Sequence, residues 1–161
     1  MTLVAALAAG AVHAEDTLTL RLDRGAALLD SADPHPTSAR ELAIQALGFL
    51  GIRYKYGGSS PLTGFDCSGL VRYVVGQAVG LALPRDTRSL SAVGARVSGD
   101  ELQPGDLVFF NTMRKPYSHV GIYVGDRRFV HAPASGGTVE VVNMTERYWQ
   151  SRFDGARRLN L

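Results

Sequence analysis

The stretch FDCSGLVRYVVGQAV, Phe65 to Val79, decides how this 161-residue chain is read. Leu70, Val71, Val74, Val75 and Ala78 recur at helical spacing, one apolar stripe, with Cys67 in the first turn. Upstream, Ser38-Ala39-Arg40-Glu41 has the form of a capping box with Ser38 as N-cap. A core helix is therefore expected from about Ala39, presenting Leu42, Ala43, Ala46, Leu47 and Leu50. The loop Gly57-Gly58-Ser59-Ser60-Pro61 separates the two helices, and Thr87 to Val93 reads as a third, short one. After the turn Pro104-Gly105-Asp106 the character changes. Strands are expected at Leu107–Phe110, His119–Val124, Arg128–Ala132 and Thr138–Val142, then a short helix within Thr145–Phe153 and a last edge strand at Ala156–Leu159. Helices first and an antiparallel run second predict an α+β domain, with the helices packed on one face of the sheet.

Composition agrees with one compact domain. At 45% hydrophobic and 20% charged the chain can bury a core, and 18 Gly with 7 Pro predict many turns. Lys plus Arg is 17 against 15 for Asp plus Glu, which excludes the strongly basic surface of a dedicated nucleic-acid binder. The single cysteine excludes an internal disulfide framework and a multi-cysteine zinc site. Leu3 to Val12 is an apolar run too short to span a bilayer, and Val12-His13-Ala14 fits a signal-peptidase site. Residues 1–14 are thus expected to be a signal peptide, and 15–37 a flexible leader, since Asp33-Pro34-His35-Pro36 resists a helix. The folded domain is expected over 38–161. Without a cysteine at the cleavage point no lipid anchor is expected. The expectation is an exported protein, periplasmic or secreted, monomeric and without stable membrane insertion.

Three residues carry the chemistry. A lone thiol in an oxidising compartment is either buried or used. Cys67 stands between Asp66 and Ser68 at a helix start, where the helix dipole favours a thiolate and outward N–H groups can hold an oxyanion. A thiolate nucleophile needs a histidine to carry the proton, and that histidine needs a third group to orient it. Of four histidines, His13 falls in the signal and His35 in the leader, which leaves His119 and His131 on neighbouring strands. Tyr54 and Tyr56 flank the Gly-Gly loop as core or rim aromatics. Arg147, Arg152, Arg157 and Arg158 read as a solvated face. A lone Cys beside two histidines suits a nucleophile better than a zinc site, so no metal and no cofactor are expected.

Tyr54-Lys55-Tyr56-Gly57-Gly58 followed by Phe65-Asp66-Cys67-Ser68-Gly69-Leu70 resembles the nucleophile region of the NlpC-type cell-wall cysteine peptidases. Leu83-Pro84-Arg85, Gln103 to Phe110, Ser118 to Val124 and Phe129-Val130-His131-Ala132 follow in that family's order. The tail Tyr148-Trp149 to Arg158 looks most like its Gram-negative branch, which includes a periplasmic murein endopeptidase. That branch member is usually a lipoprotein, and this chain departs from it by lacking the anchor cysteine. The resemblance implies a papain-like fold and hydrolysis of peptidoglycan stem peptides or crosslinks, at D-Ala–diaminopimelate or γ-D-Glu–diaminopimelate bonds. It implies Cys67 as nucleophile, His119 as general base and acid, and His131 as the group orienting His119. Tyr56 would lie beside Cys67 and help hold the oxyanion, and Asp66 and Ser68 would line the substrate cleft. The alternatives are a catalytically silent wall-binding domain, which has no use for that set, or an amidase acting on another wall amide. Bond choice depends on cleft shape, set by loops such as Thr112 to Ser118.

One expectation follows from parity alone. Opposed residues on an antiparallel pair share a face and their numbers sum to a constant. A regular two-residue loop at Gly125-Asp126 or Asp126-Arg127 gives an odd sum and puts His119 and His131 on opposite faces. An odd-length loop or a β-bulge is therefore predicted between them, with Gly125 in the left-handed region. Both rings are expected on the face turned toward the helix bearing Cys67.

Overall fold

The computed structural model describes residues 34–161. The signal peptide expected at 1–14 and the leader up to residue 33 lie outside the described residues. Helix α1, Pro34–Leu47, and helix α2, Cys67–Val79, pack together. Strands β1, Ser59–Ser60, and β2, Gly64–Phe65, form a small hairpin between them, and α3 is one turn, Thr87–Leu90. The main sheet holds β3, Ala95–Val97, β4, Leu107–Phe110, β5, His119–Gly125, β6, Arg128–His131, β7, Glu140–Asn143, and β8, Phe153–Arg158. A short helix α4, Arg147–Gln150, precedes β8. The strand order is β3-β8-β4-β5-β6-β7, and every pair is antiparallel. The expected α+β architecture is therefore the one observed.

Several boundaries differ. Helix α1 begins at Pro34, so Ser38 lies inside it and not at its cap. The first N–H groups of a helix have no intrahelical acceptor, so Pro34 and Pro36 remove nothing there. Leu42, Ala43 and Ala46 are buried as expected, but Leu47 and Leu50 are exposed where the helix ends. Strand β8 is interior, because β3, which was not anticipated, takes the edge beside it.

The pleat divides the core in two. Val120, Ile122, Val130 and Ala132 join Leu70, Val71, Val74, Leu107 and Phe109 in the cluster shared with the helices. On the other face Val108, Phe110, Tyr123 and Phe129 pack with Trp149 of α4, so that one helix does not share the face of the others. Arg157 and Arg158 are not the solvated pair expected: Arg157 is buried, and Arg158 grips Asp106 with two bonds of 2.8 Å. That fork ties the start of β4 to the end of β8, and the Asp106 partner holds the Arg158 guanidinium above its usual pKa against the opposing pull of burial.

The hairpin β5–β6 contains the predicted irregularity. Ile122 pairs with Val130 and Tyr123 with Phe129, an even sum, while Gly125 pairs with Arg128 at the turn. Val124 is the extra residue, and Gly125 has φ +100°, which an L side chain rarely adopts. Asp126 and Arg127 both have positive φ, 50° and 59°, the sign of a type I′ turn.

Candidate active site

The start of α2 is anchored before it presents its thiol. The Asp66 carboxylate caps the helix by accepting the Gly69 N–H at 2.7 Å and takes the Gly57 N–H at 2.9 Å. Arg85 forks onto both its oxygens, at 2.6 and 3.1 Å, and donates to the Ser68 hydroxyl at 2.6 Å. Burial alone would raise the Asp66 pKa; the Arg85 and backbone donors outweigh it and hold the carboxyl below the ordinary value. Gly69 packs so closely on the Gly58 carbonyl that a Cβ would sit 1.9 Å from its oxygen. The glycine loop and the helix start are thus one rigid unit.

Cys67, the first residue of that helix, lines a cavity of about 390 Å³ with Tyr54, Ser118, His119, His131, Glu140 and Trp149. Burial pushes the thiol pKa up, with the nearby Asp66 charge adding to the rise. The backbone N–H groups of Val120, Ser68 and Cys67 itself act in the opposite direction and do not overcome it. The dipole argument for a resting thiolate therefore loses to desolvation here: Cys67 rests as a thiol.

His119 and His131 meet, with His119 Nε2 and His131 Nδ1 2.8 Å apart and the rings nearly perpendicular at 85°. They share a face, as the bulge requires, but it is the aromatic face. His131 packs on Phe129, and both rings lie against Trp149 at centroid distances of 5.7 and 4.9 Å. The expectation that they face the body of α2 fails because the alternating positions Val120 and Val130 occupy that side. Cys67 meets them instead in the cavity that all three residues line. Burial lowers the pKa of His119 to about 4 and that of His131 to about 3, the latter also through the neighbouring His119, so both are neutral at pH 7.

Neutral rings constrain the protons. If His119 Nε2–H donates to His131 Nδ1, the His119 Nδ1 lone pair is left for the thiol. His131 must then carry its proton on Nε2, an atom buried without a hydrogen bond, with Glu140 Oε1 3.5 Å away. Glu140 stands directly opposite His131 in the β6–β7 register. The reverse tautomer would leave His119 no lone pair to act as a base.

Of the residues singled out from sequence, Cys67, His119 and His131 come together. Tyr56 is 87% exposed and does not line the cavity; Tyr54 does. Asp66 and Ser68 are buried in the Arg85 cluster and do not line it either. Glu140, Trp149 and Arg85 were not anticipated in these places. An acid opposite His131 would be visible only with the β6–β7 register known, and the turn between those strands does not fix it.

The NlpC/P60 family profile matches residues 51–158. The γ-DL-glutamyl hydrolase of Bacillus subtilis is 43% identical over 131 residues, 81% of this chain and 31% of that protein. The murein DD-endopeptidase MepH of Escherichia coli is 39% identical over 135 residues, 80% of this chain and 50% of that protein. The chain thus spans half or less of these two curated relatives. The crystal structure of an NlpC/P60 family protein from Bacillus cereus superposes with a TM-score of 0.68 at 34% identity, covering 74% of this chain and 39% of that one. With the expected helix-borne cysteine, the paired histidines and this match over most of the described domain, the chain belongs to the NlpC/P60 family.

Proposed function

We propose that this chain is a cysteine endopeptidase cutting peptide bonds in peptidoglycan stem peptides or crosslinks. The observation that carries the reading is the buried 2.8 Å contact of His119 with His131 in the cavity that Cys67 lines. As substrate enters, His119 Nδ1 takes the thiol proton while the sulfur attacks the carbonyl carbon, and the resting neutral pair becomes thiolate and imidazolium only along that step. The Nε2–H bond to His131 orients the ring and spreads its new charge, with Glu140 beyond. The N–H groups at the start of α2 would hold the developing oxyanion, with Tyr54, which lines the same cavity, assisting. His119 returns the proton to the leaving amine, and water hydrolyses the acyl-enzyme by the same route. Export, with residues 1–14 as the signal, belongs to the same proposal, since the substrate lies outside the cytoplasm. Among the described residues no helix is long and apolar enough to cross a membrane.

The relatives' names, a murein DD-endopeptidase and a γ-DL-glutamyl hydrolase, do not choose between the two expected bonds. Purified crosslinked dimers and monomeric stems, incubated with the protein and analysed by mass, separate them. Loss of dimers alone assigns the D-Ala–diaminopimelate bond, and shortened monomers assign the γ-D-Glu–diaminopimelate bond. Turnover of either that survives Cys67→Ala overturns the cysteine mechanism.

A further inference from the structure

A second cavity, about 450 Å³, lies on the far side of the loop that borders the active site: Pro116 and Tyr117 line the one, Thr112, Met113 and Ser118 the other. Its remaining wall carries Arg88 of α3, Arg96 of β3 and Arg157 of β8, and no carboxylate; Asp154, which accepts the Tyr117 N–H at 2.7 Å, does not line it. Arg96 and Arg157 are direct partners in the β3–β8 ladder. Like charges so opposed destabilise a sheet. Three other guanidiniums have a carboxylate partner: Arg85 with Asp66, Arg128 with Asp126, Arg158 with Asp106. Among the described residues, Arg88, Arg96 and Arg157 have no such partner, and buried Arg157 makes one hydrogen bond, to the Ala156 carbonyl at 2.9 Å. Three arginines therefore line one space with no carboxylate among its lining residues, Arg157 buried and Arg88 and Arg96 exposed.

We propose that this cavity is an oxyanion site, taking the carboxylate or phosphate group of a ligand between Arg96 and Arg157, with Arg88 closing on it. Guanidinium forks match the planar or tetrahedral oxygens of either group, and the bound anion would relieve the cross-strand repulsion. The site is separate from the Cys67 cavity and does not depend on the reaction proposed there.

The test is calorimetric titration of the full chain with inorganic phosphate and, separately, glutarate, at constant ionic strength held with chloride. Saturable binding of at least one is expected. Arg96→Gln, at an exposed position, should weaken it roughly tenfold, the loss of one charge-assisted contact. The same variant should raise the melting temperature of the ligand-free protein, and Arg88→Gln should weaken binding similarly. Phosphate binding the tighter assigns a phosphate-bearing ligand; glutarate the tighter assigns a peptide-type carboxylate. If neither saturates, or if Arg96→Gln binds as the wild type does, the site does not exist.

Discussion

His119 and Val120 are adjacent in the chain and lie on opposite faces of the central sheet, and the two faces differ in kind. Val120, Ile122 and Val130 meet the helices in an aliphatic layer whose work is to fill space. His119 and His131 meet Phe129 and Trp149, flat rings that hold imidazoles at fixed angles and keep water from them. The pleat thus sorts stability to one side and chemistry to the other, residue by residue, and that sorting can be broken by single substitutions.

The largest effect is expected where Cys67, which packs on the aliphatic side, meets the histidines of the aromatic side. Cys67→Ala and His119→Ala should each lower kcat/KM for muropeptide hydrolysis by about a thousandfold or more while circular dichroism stays native. The double variant should be little worse than either single one. On the aliphatic side, Ile122→Ala should cost about 2–4 kcal/mol in denaturant unfolding yet leave kcat largely intact in buffer. A drop in kcat out of proportion to that loss would show that the faces are not separable.

Acid sharpens the contrast further. Both histidines protonate near 6.5 in the unfolded chain but at about 4 and about 3 when folded, because burial opposes their charge. Between pH 6.5 and 4 the unfolded chain binds more protons, so stability should fall as pH falls through that window. His131→Asn should flatten part of the slope in melting-temperature scans and keep more activity than His119→Ala, since an amide can still accept the Nε2 proton. The smallest effect is expected from Glu140→Gln, half-exposed at 3.5 Å from His131. A roughly fivefold loss of kcat with unchanged melting temperature would match a partly exposed charge acting across that gap. No loss at all would remove Glu140 from the relay.

How much of this was legible in the sequence follows the same division. The stripe Leu70, Val71, Val74, Val75 marked α2 because helix periodicity is local, and parity required the bulge because strand periodicity is local too. What failed needed long-range information. Arg85 reaches Asp66 from 19 residues away and withdraws it, with Ser68, from the cleft. Whether Tyr54 or Tyr56 turns inward depends on how the loop after α1 docks, which alternation alone does not decide. Nor could the order of strands show that β3 would cover β8, or that the histidine side of the sheet would be the one away from α2. The position of Cys67 at a helix start favoured a resting thiolate, and only the packing around it shows burial outweighing the dipole.

The extra residue at Val124 bears on how such sites are searched for. Removing Val124 would leave Tyr123 facing Phe129 and Gly125 facing Arg128, so the imidazoles would still meet with their interval in the chain shortened by one. Removing Val130 instead would send His131 through the sheet, although the interval would shrink by the same amount. The distance between two histidines along a sequence is therefore a poor signature for this arrangement. A pattern that lets the hairpin gain or lose its unpaired residue, while fixing which side of each strand the imidazoles occupy, would find relatives that a rigid spacing passes over.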